Sequence, residues 1–487
     1  MKKQQAMLLA DYYKISHRQL YPSGTELIYS TFTPRDARNP NIKSVTAFGM
    51  QAFVKEYLVN FFNDNFFSRP KEEVLSEYSR FIKHTLGDQN PDVSHIAALH
   101  DLQYLPLQID AVPEGTQVPI KVPMLTVHNT LPQFFWLTNY VETLLSCELW
   151  QSITSATMAR EYYTMLTAYA KDTGADPSFV QFQGHDFSMR GMSSLKSAVN
   201  SGMGHLVYFS GTDTIPAISG MEEYYNANVE KELVGTSIPA TEHSIECAYG
   251  NDEEYILDII TNKNPTGMVS VVSDGYDFWN VVTNILPKHK DKIMARNGKL
   301  VIRPDSGDPV KIVIGDPNAS TEYERKGLIE CLWDTFGGTT NVKGYKELDS
   351  HIGAIYGDSI TLDRARAISE GLKAKGFTTT NIVYGIGSFT YQYNTRDTFG
   401  FAMKSTLAKI NGEEIQIFKN PKTDSGIKKS AKGAVAVVNE NGVLTLKDGM
   451  FLQEALNYEN NVLTTIFKDG KITKEYTLAE IRERAKS

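Results

Sequence analysis

The sequence is poor in the features that assign a chain quickly. It has three cysteines, Cys147, Cys247 and Cys331, far apart and without CxxC spacing. That excludes a disulfide framework and a structural zinc site, and it makes a reducing cytoplasm the expected compartment. Long apolar runs are missing too. The nearest approach to the roughly 18 residues of a membrane span, Phe134 to Trp150, carries Thr138, Asn139, Glu142 and Thr143 and reads as a core helix. After the basic start only Ala6 to Ala10 precede Asp11, too short a run for the core of an export signal. Lys and Arg number 49 against 57 Asp and Glu, and a net charge of −8 argues against nucleic acid as a partner, which dense positive charge would have to hold. No repeat and no low-complexity tract occurs, and 35 Gly with 19 Pro in 487 residues fall far short of a collagen-like or disordered composition.

What remains is a globular chain of enzyme size, long enough for two or three domains around sizeable cores. The first 150 residues mix strands, such as Leu105 to Val112 and Met124 to Val127, with helical patterns and read as an α+β domain. From about residue 180 short apolar runs recur, each followed by polar or glycine residues and mostly by a helical stretch: Phe179–Phe182, His205–Phe209, Met268–Val272, Lys299–Ile302, Ile352–Tyr356 and Asn381–Tyr384. The helix predicted over Leu362 to Lys375 places Ala365, Ile368 and Leu372 on one face, Asp363 in its first turn and Gly376 at its C-terminal cap. Repeated βα units imply a parallel sheet, closed into a barrel or open and doubly wound.

In a barrel the functional groups gather at the C-terminal ends of the strands. The segments after the six runs are Gly184-His185-Asp186, Gly211-Thr212-Asp213, Ser273-Asp274, Arg303-Pro304-Asp305-Ser306-Gly307, Gly357-Asp358 and Gly385-Ile386-Gly387-Ser388. Turn chemistry alone explains any one of them; six together point to one shared polar site. Gly387 and Ser388 could offer backbone N–H groups to a monophosphate, although neither a Walker loop nor GxGxxG spacing is present. Asp305 and Asp358 could bind sugar hydroxyls or a hydrated Mg²⁺. His243 lies among small and polar residues, where a lone histidine is more often structural, so composition alone does not promote it. Seven lysines between Lys404 and Lys432 face only Glu413, Glu414 and Asp424, either a solvated loop or a seat for a small polyanion. No metal triad and no GxSxG elbow is seen.

These residues also carry a resemblance. Leu9-Ala10-Asp11-Tyr12-Tyr13-Lys14, His185-Asp186-Phe187-Ser188-Met189-Arg190-Gly191, Gly211-Thr212-Asp213-Thr214, Ser237-Ile238-Pro239-Ala240-Thr241-Glu242-His243-Ser244, Ile302-Arg303-Pro304-Asp305-Ser306-Gly307 and Thr395-Arg396-Asp397, in this order, resemble the nicotinamide phosphoribosyltransferases of the nicotinate/nicotinamide phosphoribosyltransferase family, over nearly the whole chain. The resemblance implies an α/β fold, an irregular (βα) barrel of the type II phosphoribosyltransferase kind over 151–394, with an additional α+β domain formed by 1–150 and a C-terminal segment of about 395–487. It implies transfer of phosphoribosyl from phosphoribosyl diphosphate to nicotinamide in NAD salvage, by a cytoplasmic homodimer with shared sites.

The roles it implies are these. Phe187 and, from the partner subunit, Tyr13 would stack on the pyridine ring; Asp213 would accept from the carboxamide, with Arg303 near its oxygen and Ser270 lining the pocket. Asp305, Gly357 and Asp358 would hold the ribose, and Gly387 and Ser388 the 5′-phosphate. Arg190, together with Arg35, Arg396, Lys404 and Lys419 of the other subunit, would neutralise phosphate and diphosphate, with Lys428 or Lys429 beside them. His243, oriented by Asp274, would be phosphorylated by ATP, and Mg²⁺ would accompany the diphosphate. The chain departs from the family pattern at Ser388 and Phe389, where a Gly-Gly-Gly run is expected, at Phe182 for a tyrosine and at Ala402 for a serine. The alternatives are a nicotinate phosphoribosyltransferase, which the carboxylate of Asp213 disfavours because it would repel an acidic base, and a catalytically silent ligand-binding homologue.

Overall fold

The structure is a computed structural model and describes residues 4–418 and 431–487. Lys419, Lys428 and Lys429 lie outside the described residues. The chain forms two compact units: residues 1–157, 220–227 and 394–487 make the first, and 158–219 with 228–393 the second.

In the first unit the two ends of the chain share one sheet of seven strands. Strand Thr25–Thr33 lies between Ala402–Ile410 and Leu125–Asn129, antiparallel to both, with Thr31 opposite Lys404 and Phe32 opposite Leu125. It is buried along nearly its whole length, Thr25, Ser30 and Thr31 included, so it has no solvent-facing side. The predicted strands appear as Leu107–Ala111 and Leu125–Asn129, paired with Ile109 opposite Val127. The expected core helix around Phe134 to Trp150 becomes a short turn over Pro132–Phe134, one helical turn Leu137–Tyr140 and a 32-residue helix Glu142–Thr173.

The second unit is built on six parallel strands, in spatial order Gly211–Thr212, Gly184–Asp186, Ile382–Ile386, Ile352–Tyr356, Leu300–Arg303 and Val269–Val272. Residues 236–241 touch both free edges. Thr236 bridges Gly211 and Ala240 bridges Ser270, with Thr212 N–H donating to Thr236 O at 2.9 Å and Ser270 N–H to Pro239 O at 2.9 Å. The sheet is thereby closed into an irregular ring in which each neighbour follows its predecessor in the chain, so all strands point the same way and all their C-terminal ends meet on one face.

The last four predicted runs match these strands to within two residues. The first two do not. Phe179–Phe182 lies in a turn and helix, Pro177–Phe179 and Val180–Gln183, opened by Asp176, whose side chain accepts from Ser178 N–H. His205–Phe209 belongs to the end of helix Leu195–Leu206 and the turn after it. An apolar run of four or five residues has no period to separate helix from strand, and the actual strands are the polar residues that follow. Helix Leu362–Ala374 is as predicted: Thr361 caps it, Ala365, Ile368 and Leu372 are buried, and Gly376 at φ +77° lets Gly376 N–H and Phe377 N–H return to Lys373 O and Leu372 O.

Candidate active site

The strand ends enclose a cavity of about 610 Å³, whose walls include Phe187, Arg190, Asp213, Thr241, Arg303 and Asp305. A second cavity of about 450 Å³ shares Phe187, Arg190 and Gly357 with it and adds Asp358, Gly387 and Ser388. The two behave as lobes of one cleft, of a size for a small organic ligand.

Phe187 stands between the lobes. Its N–H donates to Ile386 O at 3.0 Å, and its ring lies 4.9 Å from that of His185. Gly385 makes this possible: a Cβ there would collide with the Phe187 ring, and one at Gly357 would sit 2.6 Å from Asp305 Oδ1. Glycine at these two strand ends leaves room for an aromatic platform with one face towards the cleft.

Asp213 follows strand Gly211–Thr212, and its Oδ1 is taken twice: His185 Nε2 lies at 2.9 Å and Ser237 Oγ donates at 2.6 Å. Burial opposes its ionisation, yet these hydrogen bonds and the charges of His185 and Arg303 outweigh that and hold the carboxyl below its usual range. Asp213 is therefore an anion, its side chain half exposed to the cleft. Arg303 Nη2 donates to Thr241 O at 2.8 Å, while its Nε is buried with no acceptor. Ser270 is buried in its strand with an unpartnered hydroxyl and does not line either lobe.

Two strand ends and the start of helix His243–Tyr249 meet at Asp274. Its Oδ2 accepts from Asp305 N–H at 2.9 Å and from Ser306 Oγ at 2.5 Å, and His243 Nε2 lies 3.1 Å from Oδ1. Burial works against the charge, but these three donors hold Asp274 below its usual range. An ionised Asp274 can only accept, so Nε2 of His243 is the donor in this contact and Nδ1 takes no part in it. Burial pushes the Asp305 carboxyl up, Arg303 opposes, and Asp274 and Asp358 add to the rise. The extra hydroxyl of Ser388 is seated against the Cα of Gly191, where any larger residue would collide with it.

Tyr13, Arg35, Arg396 and Lys404 belong to the first unit. Tyr13 is exposed on helix Tyr12–Leu20. Arg35 and Lys404 flank the paired ends of Thr25–Thr33 and Ala402–Ile410, where Arg35 Nε donates to Gly400 O at 2.8 Å, and Arg396 pairs with Asp397 at 3.1 Å. His185 and Ser237, the anchors of Asp213, both sit inside the quoted motifs, yet nothing in a one-dimensional pattern couples residues 28 and 24 positions from their partner.

The fold is shared with solved structures: nicotinate-nucleotide pyrophosphorylase from Pyrococcus furiosus has a TM-score of 0.60 at 14% identity, covering 99% of this chain and 94% of the other. Human nicotinic acid phosphoribosyltransferase has a TM-score of 0.53 at 14% identity, with 98% and 93% covered. The architecture is thus that of the type II phosphoribosyltransferases. Residues 182–468 match the nicotinate phosphoribosyltransferase (NAPRTase) family, and residues 5–89 the nicotinamide phosphoribosyltransferase N-terminal domain. Among curated relatives, the nicotinamide phosphoribosyltransferase of Acinetobacter baylyi is 48% identical over 97% of this chain and 95% of its own length. Those of Mycoplasma genitalium (36%; 88% and 94% covered) and Xanthomonas campestris (31%; 98% and 97% covered) follow the same pattern. The chain belongs to the nicotinate phosphoribosyltransferase family and is a pentosyltransferase.

Proposed function

We propose that the protein transfers the phosphoribosyl group of 5-phosphoribosyl 1-diphosphate to nicotinamide, giving nicotinamide mononucleotide and diphosphate in NAD salvage. The observation that carries the choice of base is the anchored anion at Asp213. One oxygen is held by His185 and Ser237, the other is left to accept from a carboxamide NH₂, and a carboxylate base in the same place would be repelled. Phe187 gives the flat ring a stacking face, and the buried Nε–H of Arg303 is a donor in need of an oxygen.

In the reaction the bond from C1′ to the diphosphate oxygen breaks and the ring-nitrogen lone pair closes on C1′. Positive charge builds at the ribosyl centre, and the carboxylates of Asp305 and Asp358 are proposed to hold the ribose hydroxyls beneath it. Arg190 is exposed in both lobes and offers its guanidinium to the departing diphosphate. Among the described residues no three His, Cys, Asp or Glu gather to hold a metal unaided. The hard oxygens of Asp305 and Asp358 do suit Mg²⁺, which takes one or two carboxylates together with phosphate oxygens; bound there, the ion would neutralise diphosphate charge.

ATP is proposed as a phosphoryl donor to His243. The Nδ1 lone pair would form the N–P bond as the bond from Pγ to its bridging oxygen breaks and ADP leaves, while Nε2–H stays on Asp274. Tyr13, Arg35, Arg396 and Lys404 are assigned to the site of a second copy in a homodimer, and the compartment is taken as a reducing cytoplasm, in keeping with three unpaired cysteines. No helix among the described residues is long and apolar enough to cross a membrane. The test is mass detection of nicotinamide mononucleotide from purified protein with nicotinamide or nicotinate, with and without ATP and Mg²⁺. Product from nicotinate alone, or none from either base, refutes the reading.

A further inference from the structure

Glu246 lies one turn beyond His243 on helix His243–Tyr249 and has no exposure to solvent. Its carboxyl oxygens accept no hydrogen bond of good geometry, Gly275 N–H being the backbone donor within reach, and Oδ1 of Asp252, at the start of helix Asp252–Asp258, is also buried without a partner. The two carboxyls come within hydrogen-bonding reach of each other, a contact that only a shared proton can make. On its other side Glu246 is wedged against Gly275, next in the chain to Asp274, where a Cβ would collide with Glu246 Oε2. An acid pair is therefore buried directly behind the His243–Asp274 contact, away from the cleft.

Two adjoining buried carboxyls keep a proton between them, because neither can ionise without desolvation cost and mutual repulsion. Burial, then Asp252, then Asp274 push Glu246 up to about 7, opposed by Gly275 N–H and then by His243. Burial likewise raises Asp252, against the hydrogen bonds from Glu246 and from Asp277 N–H, while the charge of Asp277 adds to the rise. Tyr255 and Tyr276, packed nearby, are phenols that feel the Glu246 charge and stay neutral themselves.

We propose that the Glu246–Asp252 pair is a positioning element that gates phosphoryl acceptance by His243. While the pair keeps its proton, Asp274 is the anion that bears on the imidazole. Once the proton is lost, the added negative charge behind the helix start strengthens the hold of His243 on a proton and turns away the γ-phosphate. This rests on the reading of His243 as the phosphoryl acceptor, and the experiment separates the two.

Full-length wild type, Glu246→Gln and Asp252→Asn are labelled with γ-³²P-ATP from pH 6 to pH 9, and the imidazole of His243 is titrated in parallel by NMR, assigned with His243→Ala. Wild-type labelling should fall roughly tenfold between pH 7 and pH 8.5, following the protonated fraction of a group that titrates near neutrality. Glu246→Gln should lose that fall, and Asp252→Asn, which gives Glu246 a donor, should move it to lower pH. In the titration, wild-type His243 should show a second inflection that Glu246→Gln lacks. Superimposable labelling profiles for wild type and Glu246→Gln, or a single inflection in both, overturn the inference. Two inflections in wild type with no label at any pH support the electrostatic link and refute the phosphohistidine reading.

Discussion

Replacing Asp213 by serine removes the anion that the site holds towards its base while leaving a small polar residue in its place. The wild-type carboxylate sits in a half-exposed position, so the charge effect falls between water and interior values. At about 4 Å and an effective dielectric near 20, two like charges cost about 4 kcal/mol; the exposure lowers that to roughly 2–3 kcal/mol, or about 30–150-fold against nicotinate. Losing the hydrogen bond to the carboxamide costs nicotinamide about 1.5–3 kcal/mol, since the acceptor is charged. The ratio of kcat/KM for nicotinamide over nicotinate should therefore collapse by at least two decades in Asp213→Ser, from loss on one side and relief on the other. The assay is initial-rate formation of each mononucleotide at saturating phosphoribosyl diphosphate. A ratio unchanged within twofold, or a wild type that uses both bases equally, refutes the assignment of Asp213.

Gly385→Ala drives a methyl group into the Phe187 ring; overpacking of this kind costs about 1–3 kcal/mol, and a raised KM for nicotinamide in a folded protein is the expected result. If two copies share a site as proposed, co-expressed Tyr13→Ala and Phe187→Ala chains should recover activity that neither variant shows alone, which size-exclusion chromatography and product assay can check. Phosphoryl coupling should depend on one nitrogen, so His243→Ala is expected to lose ATP stimulation and keep basal transfer, as read by product yield with and without ATP. Glu114 is buried, with its oxygens on Gly49 and Gln51 N–H, and burial pushes it up to about 7 from a usual value near 4.5. The folded state then holds a proton that the unfolded chain releases, so stability should fall as pH rises from about 4.5 to 7, by about 3 kcal/mol. Thermal melting at pH 5 and pH 8 measures it, and Glu114→Gln should flatten the difference.

The barrel was legible where apolar β-branched runs were bounded by Asp and Gly. Val269–Val272 and Ile352–Tyr356 announce themselves, and so does the capped helix Leu362–Ala374. Two pieces of the ring were not. Gly184–Asp186 is three residues long and polar, and 236–241 contains Pro239 and pairs through single bridges, so neither has a period to detect. The same limit applied to the site. Residue types at strand ends pointed to a common cleft, but the clamp of His185 and Ser237 on Asp213 depends on neighbours in the ring. Glu246, in a short helix of mixed composition, reads as a surface residue until its burial is seen.

The position of Thr25–Thr33 in the first unit has a consequence for how the chain is made. One flank, Leu125–Asn129, is synthesised soon afterwards; the other, Ala402–Ile410, comes about 270 residues later. At about 5–20 residues per second, the ribosome leaves one hydrogen-bonding edge of a strand that is buried in the folded protein bare for roughly 15–55 s. During that interval the nascent polypeptide offers a template for pairing with a neighbouring chain, and a translation product that stops short of residue 402 would keep the edge open for good.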